Sequence, residues 1–172
     1  MKVMIHCPST DLRTRSGFRF AVRAASSEDE QPLSEFFNAV SADDLRFRFL
    51  TSVDHVSHDR LRAMLDVDQD RTESFLAIGD DGRVFATAML ACDAAMEVGE
   101  VAISIRSDLK GRGIGWTLLE FIAAEARRRG VKRLQSVESR ANHSAVELER
   151  GMGFEVVPCD DDPSIIVLEI RF

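Results

Sequence analysis

The stretch that most restricts the fold is SIRSDLKGRGIGWTLLEF, residues 104–121, where three of the chain's ten glycines fall within positions 111–115. Immediately upstream, EVAISI (100–105) is apolar and β-branched, the pattern of a buried strand. Downstream, Ile114, Leu118, Phe121 and Ile122 recur at helical spacing, and Gly130 marks the stop. The order is strand, glycine turn, helix. It gathers the unpaired N–H groups of a first helical turn at one point, where the helix dipole favours an anion. Glycine permits positive φ and lets a ligand approach the backbone closely. The pattern predicts a site for a phosphate-bearing cofactor.

The rest of the chain supplies one domain around that unit. At 172 residues it can bury a real core but does not divide comfortably into two domains. Residues 1–17 are polar and irregular and read as a loose tail, with KVMI as a candidate edge strand; the domain proper is expected over 18–172. FRFAVRAA (18–25) alternates as a strand. SSEDEQPLSEFFNAV reads as a helix with Ser27 as N-cap, Glu30 three residues on, and Leu33, Phe36, Phe37 and Val40 on one face. Two short helical pieces follow, capped by Ser41 and Ser57. ESFLAIGDDGRVFATAMLAC is a hairpin about Gly79–Gly82. After the glycine unit come a strand (VKRLQSVES), a helix (NHSAVELERG) and two closing strands (FEVVP and SIIVLEIRF). The expected fold is an α/β domain with a mixed sheet of about seven strands and four or five helices.

Composition excludes several function classes. Net charge is −7 and the isoelectric point about 5.1, which argues against nucleic acid as a general partner and leans toward a cationic one. No apolar run reaches the length of a membrane span, and the first residues lack a signal-peptide core. Cys7, Cys92 and Cys159 are scattered, without CxxC spacing, so neither a disulfide framework nor zinc is indicated; reduced cysteines in a cytoplasm fit. His55 and His58 are read as surface or capping residues rather than a metal pair.

Spacing decides among phosphate loops. A Walker loop requires Lys-Ser or Lys-Thr after the glycines, and none is present. The dinucleotide fingerprint requires glycine at 116 or 118, where Trp116 and Leu118 stand. What remains, Lys110-Gly111-Arg112-Gly113-Ile114-Gly115, resembles the (Arg/Gln)-x-x-Gly-x-(Gly/Ala) motif of the GNAT superfamily of acyl-CoA-dependent N-acyltransferases, with Lys110 departing conservatively. The flanking EVAISI strand and RANHSAVELERGMGFEV, with Asn opening a helix and GF closing it, extend the resemblance across 18–172. Within the superfamily, RAASSEDEQPLSEFF, SADDLRFRFL and the helix to LDVD are most similar to bacterial protein lysine acetyltransferases of the acetyl-CoA synthetase-regulating type.

The resemblance implies a mostly antiparallel, splayed sheet and an acetyl-CoA-dependent transfer to a primary amine, a protein lysine or small cationic amine. It also implies a monomer or homodimer. Ile103, Ser104 and Ile105 become backbone partners of the pantetheine arm. Lys110, Gly111, Arg112, Gly113, Ile114, Gly115 and Trp116 become the pyrophosphate cradle. Asn142 becomes a cofactor contact, or simply a helix cap. Many family members use a tyrosine acid on the helix after that Asn, but this chain has no tyrosine and Glu149 stands there. An alkylamine must lose a proton before attack, so a base is required. Glu100, on the strand face of Ala102 and Ser104, is expected to be partly desolvated and is the first candidate; Glu138 in SVES is the second, and Glu97 is read as hairpin surface. Arg46 and Arg48 in LRFRF read as supports for a helix whose phenylalanines fill the core. RRRG (127–130) reads as charge complementing a helix C-terminus, with a cofactor phosphate contact as the alternative. The competing functional class is a regulatory module that binds acyl-CoA and has little catalysis.

Overall fold

The computed structural model describes residues 8–172. KVMI and Cys7 lie outside the described residues. Eight strands form one sheet: β1 (Ser9–Arg13), β2 (Arg19–Ala24), β3 (Thr72–Ile78), β4 (Val84–Cys92), β5 (Val98–Ile105), β6 (Arg133–Ser139), β7 (Glu155–Val157) and β8 (Ile165–Arg171). Their order is β1-β2-β3-β4-β5-β6-β8-β7. Every neighbouring pair is antiparallel except β5 and β6. Five α-helices accompany it: α1 (Glu30–Asn38), α2 (Ala42–Phe49), α3 (His58–Leu65), α4 (Ile114–Arg128) and α5 (His143–Gly151). No helix among the described residues is long and apolar enough to cross a membrane.

The sheet is covered on both faces, which explains why β3 and β4 are apolar runs rather than alternating ones. Phe75 and Ala77 face a cluster with Phe20, Phe85, Leu118, Ile122 and Leu168, built against α4. Leu76 and Val84 face a second cluster with Leu33, Phe36, Phe37 and Leu61 from α1 and α3. Burying each such side chain contributes about 1.5–3 kcal/mol. The eighth strand is β1, whose STDLR sequence is polar and largely exposed and so carries no alternation. It pairs along its length with β2 as the sheet edge.

One cap differs from expectation. Ser26, not Ser27, opens the first helical segment, through the 3-10 turn Ser27–Asp29. The Asp29 carboxylate accepts from Ser26 N–H at 2.7 Å and is gripped by both Arg23 terminal nitrogens at 2.8 Å. Asp29 is buried by that pairing, and the Arg23 contact helps hold its pKa low although burial, the largest influence, works the other way. Ser41 and Ser57 cap α2 and α3 by accepting from Asp44 N and Arg60 N.

Candidate functional site

The site follows from the one parallel pairing. β5 and β6 are in register only at Val98–Arg133, Gly99–Leu134 and Glu100–Gln135; beyond that the strands part. Residues 101–105 keep their β4 partners on one edge, while the other edge opens on a groove. The groove encloses about 400 Å³ and runs from the glycine turn to the splayed ends of β5 and β6. Ile103, Ser104 and Ile105 line it, and Ser104 Oγ is buried with no hydrogen-bond partner among the described residues. A buried hydroxyl without a partner costs free energy that a ligand's polar group would recover.

At the turn end, α4 begins on Gly113, whose φ of +83° disfavours side chains. Ile114, Gly115 and Trp116 form the first turn, whose N–H groups have no intrahelical acceptor. Gly115 serves close approach instead: a Cβ there would lie 3.2 Å from Leu148 Cδ1 and 3.4 Å from Ile105 Cδ1. Lys110, Gly111, Gly113, Ile114, Gly115 and Trp116 line the groove. Arg112 does not; its carbonyl accepts from Ser16 Oγ at 3.0 Å, so the segment after β1 braces the turn from outside. Lys110 Nζ donates to both Asp44 oxygens at 2.6 and 2.7 Å, tying the turn to α2. The donor set, backbone N–H groups at a helix start beside a lysine, fits a diphosphate.

The opposite end gathers ionisable side chains. Glu138 on β6 accepts from Asn142 Nδ2 at 3.1 Å and lies close enough to Glu149 on α5 for the two carboxyls to influence each other; Glu149 itself accepts from Ser136 Oγ at 2.5 Å. Burial, then the neighbouring Glu149 charge and hydrogen bond, push Glu138 up to about 8, against the pull of Asn142 and Arg48. Burial also raises Glu149, against the Ser136 bond. Two carboxyls in one dry site cannot both ionise cheaply. Glu100 lines the same groove, but its side chain is exposed. The desolvation expected for it is therefore absent: strand alternation gives the face of the sheet, and α2 leaves that part of the face open to water.

Asn142 occupies the cap position of α5, yet its side chain makes no cap bond and is spent on Glu138. The sequence reading assigns a role in the site neither to Arg48, read as a helix support, nor to Glu149, noted only as standing at the tyrosine position. Arg48 of α2 lines the groove rather than merely supporting its helix. Glu149 is 5% exposed, and the signal for it was present: a carboxylate on the inner stripe of α5, three residues after Val146. Glu97 pairs with Lys132 at the surface, and His58 with Glu30. Arg128 and Arg129 pair with Glu125, and Arg127 stacks on Phe172, so RRRG serves the helix end and lines no part of the groove. Among the described residues no cluster suits a metal ion.

Comparison with known proteins agrees with this architecture. The family model described as acetyltransferase (GNAT) family matches residues 38–154. Acetyltransferase PA5475 of Pseudomonas aeruginosa is 28% identical over 154 residues, covering 88% of this chain and 83% of that protein. The GNAT domain of PAT from S. lividans superposes with a TM-score of 0.87 at 24% identity, covering 95% of this chain and 97% of that one. A spermidine N-acetyltransferase from Vibrio cholerae, solved with CoA and spermine, gives 0.72 at 15% identity, covering 88% and 95%.

Proposed function

The chain belongs to the acetyltransferase (GNAT) family, whose acyl donor is acetyl-CoA, and on that footing we propose that it acetylates a primary amine in the β5–β6 groove with Glu138 as base. Acetyl-CoA supplies an acyl thioester. The fit of the groove to it rests on the glycine turn and on the partnerless Ser104 hydroxyl. Gly111, Gly113, Ile114, Gly115 and Trp116 would hold the diphosphate through their N–H groups beside Lys110. The open edge of Ile103 to Ile105 offers backbone groups to the pantetheine amides.

The observation that carries the reading is the Glu138–Glu149 pair. A carboxyl with its pKa near 8 is matched to removing a proton from an alkylammonium at working pH, where an ordinary surface glutamate is too weak a base. Glu138 in its ionised form takes that proton; Asn142 fixes its orientation, and Glu149 keeps the site's affinity for a proton high. The same pair can hold the proton that a departing thiolate needs, in place of the absent tyrosine. Glu100 stays within the groove as an exposed carboxylate that attracts the ammonium. The acceptor is a protein lysine, as the resemblance to bacterial protein lysine acetyltransferases implies, or a small amine.

Steady-state transfer to a panel of amines and lysine peptides tests this. Glu138→Gln should lower kcat by about 10²–10⁴-fold with acetyl-CoA affinity nearly unchanged, while Glu100→Gln costs less than about tenfold. The wild-type rate should climb with pH through about 8. If acetyl-CoA binds and no amine is ever acetylated, the regulatory-module reading takes its place. If the two variants fall in the reverse order, Glu100 is the base.

A further inference from the structure

Four arginines lie on α2 and α3, and two of them form no ion pair among the described residues. Arg46 pairs with Asp43 and Arg62 with Asp66, both at the surface. Arg48 makes no ion pair or hydrogen bond among the described residues; its guanidinium lies 5.1 Å from the Phe49 ring centroid. Arg60 sits 4.7 Å from the same ring, and its Nη1 is buried without a hydrogen-bond partner among the described residues. Each of the two guanidinium groups therefore has spare donors, and the charges repel. Burial disfavours the Arg48 charge, Arg60 adds to that, and Glu100 and Glu138 across the groove partly offset it. Leaving a buried charged donor such as Arg60 Nη1 unpaired is costly, and a ligand's acceptor is one way to relieve that cost.

The charge pattern of the groove is thus mixed. Glu100 and Glu138 offer carboxylates to an ammonium, while Arg48, lining the same groove, brings a planar fork of donors, the shape that a carboxylate pairs with in two parallel bonds. We propose that the acceptor carries a carboxylate beside its amine, a free amino acid or a small molecule of that charge pattern, and that Arg48 holds the carboxylate with Arg60 behind it. The proposal rests on the acetyltransferase reading and narrows its acceptor. A polyamine would meet Arg48 with a like charge and leave its donors unpaired. A lysine within a peptide has no carboxylate on its own residue to offer.

The test pairs free amino acids with the amines that remain when their carboxyl group is removed, beside a lysine peptide. Transfer is followed by released thiol at pH 8, and the readout is the ratio of kcat/KM within each pair. Wild-type enzyme should favour at least one amino acid over its carboxyl-free partner by tenfold or more. Arg48→Met should lower that ratio by about 10–100-fold, chiefly through KM for the amino acid, and Arg48→Lys should restore part of it. Circular dichroism of both variants checks the fold, and Arg60→Met gives a second measure should Arg48→Met unfold. Equal losses on both members of a pair overturn the proposal, since Arg48 would then act only on the charge of Glu138. So does a wild-type preference for carboxyl-free amines or for the peptide, and in those cases the acetyltransferase reading stands. Acetylation of no amine at all overturns both.

Discussion

At one end of the groove the chain uses contiguous backbone: Lys110 to Trp116 follow one another, and what they offer a ligand is main-chain N–H groups at the start of α4. At the other end it uses side chains from four separate elements, with Arg48 on α2, Glu100 on β5, Glu138 on β6 and Glu149 on α5. The first kind of site depends on conformation and tolerates little change in shape. The second depends on solvation and charge, and each member sets the proton affinity of the others.

That contrast predicts how the two ends fail. Gly113→Asp should give the largest effect. Aspartate is a good helix cap and tolerates positive φ better than most residues, so the domain still folds, but its charge opposes a diphosphate. Loss of acetyl-CoA binding by about 10²-fold or more in calorimetry is expected. Retained affinity in a folded variant would remove the distinction between the two ends.

The acidic end should instead show itself in stability. Glu138 has a folded pKa raised to about 8 against about 4.3 for an unstructured glutamate. Its contribution is therefore fully present below about 4.3 and is lost as pH rises through 8. Glu138→Gln mimics the protonated form, so thermal melts should show the variant gaining on wild type as pH rises from 5 to 9. A constant difference across that range would mean that the carboxyl pair is not coupled to folding. The smallest effect belongs to the tie between the ends. Lys110→Met breaks a half-exposed pair with Asp44 and should cost less than about 1 kcal/mol of stability and only a few-fold in acetyl-CoA affinity.

The same contrast explains what could be read from the sequence. The glycine turn was legible because strand, turn and helix are adjacent in the chain and each leaves a local mark. The depth of Glu100 was not, since alternation assigns a face and says nothing of what covers it. Nor was the placement of Arg48: Leu45 marks the buried side of α2, but only tertiary packing decides that the next turn borders a groove. Strand β1 leaves no mark in the sequence because an exposed edge needs no apolar pattern, and of the adjoining Ser26 and Ser27 only the position of Arg23 selects the cap.

The parting of β5 from β6 has a consequence for how the molecule comes undone. With three residue pairs in register between them, the sheet is a block of five strands and a block of three joined along a short seam. A molecule lying in the gap touches both blocks and makes them one cooperative unit. At a concentration one hundred times its dissociation constant it adds about 2.7 kcal/mol to the folded state. That gain is concentrated where the blocks meet, so amide protons of β5 and β6 should slow their exchange with solvent most. Bound acetyl-CoA is thereby expected to slow the separation of the two blocks as well as to supply the acyl group.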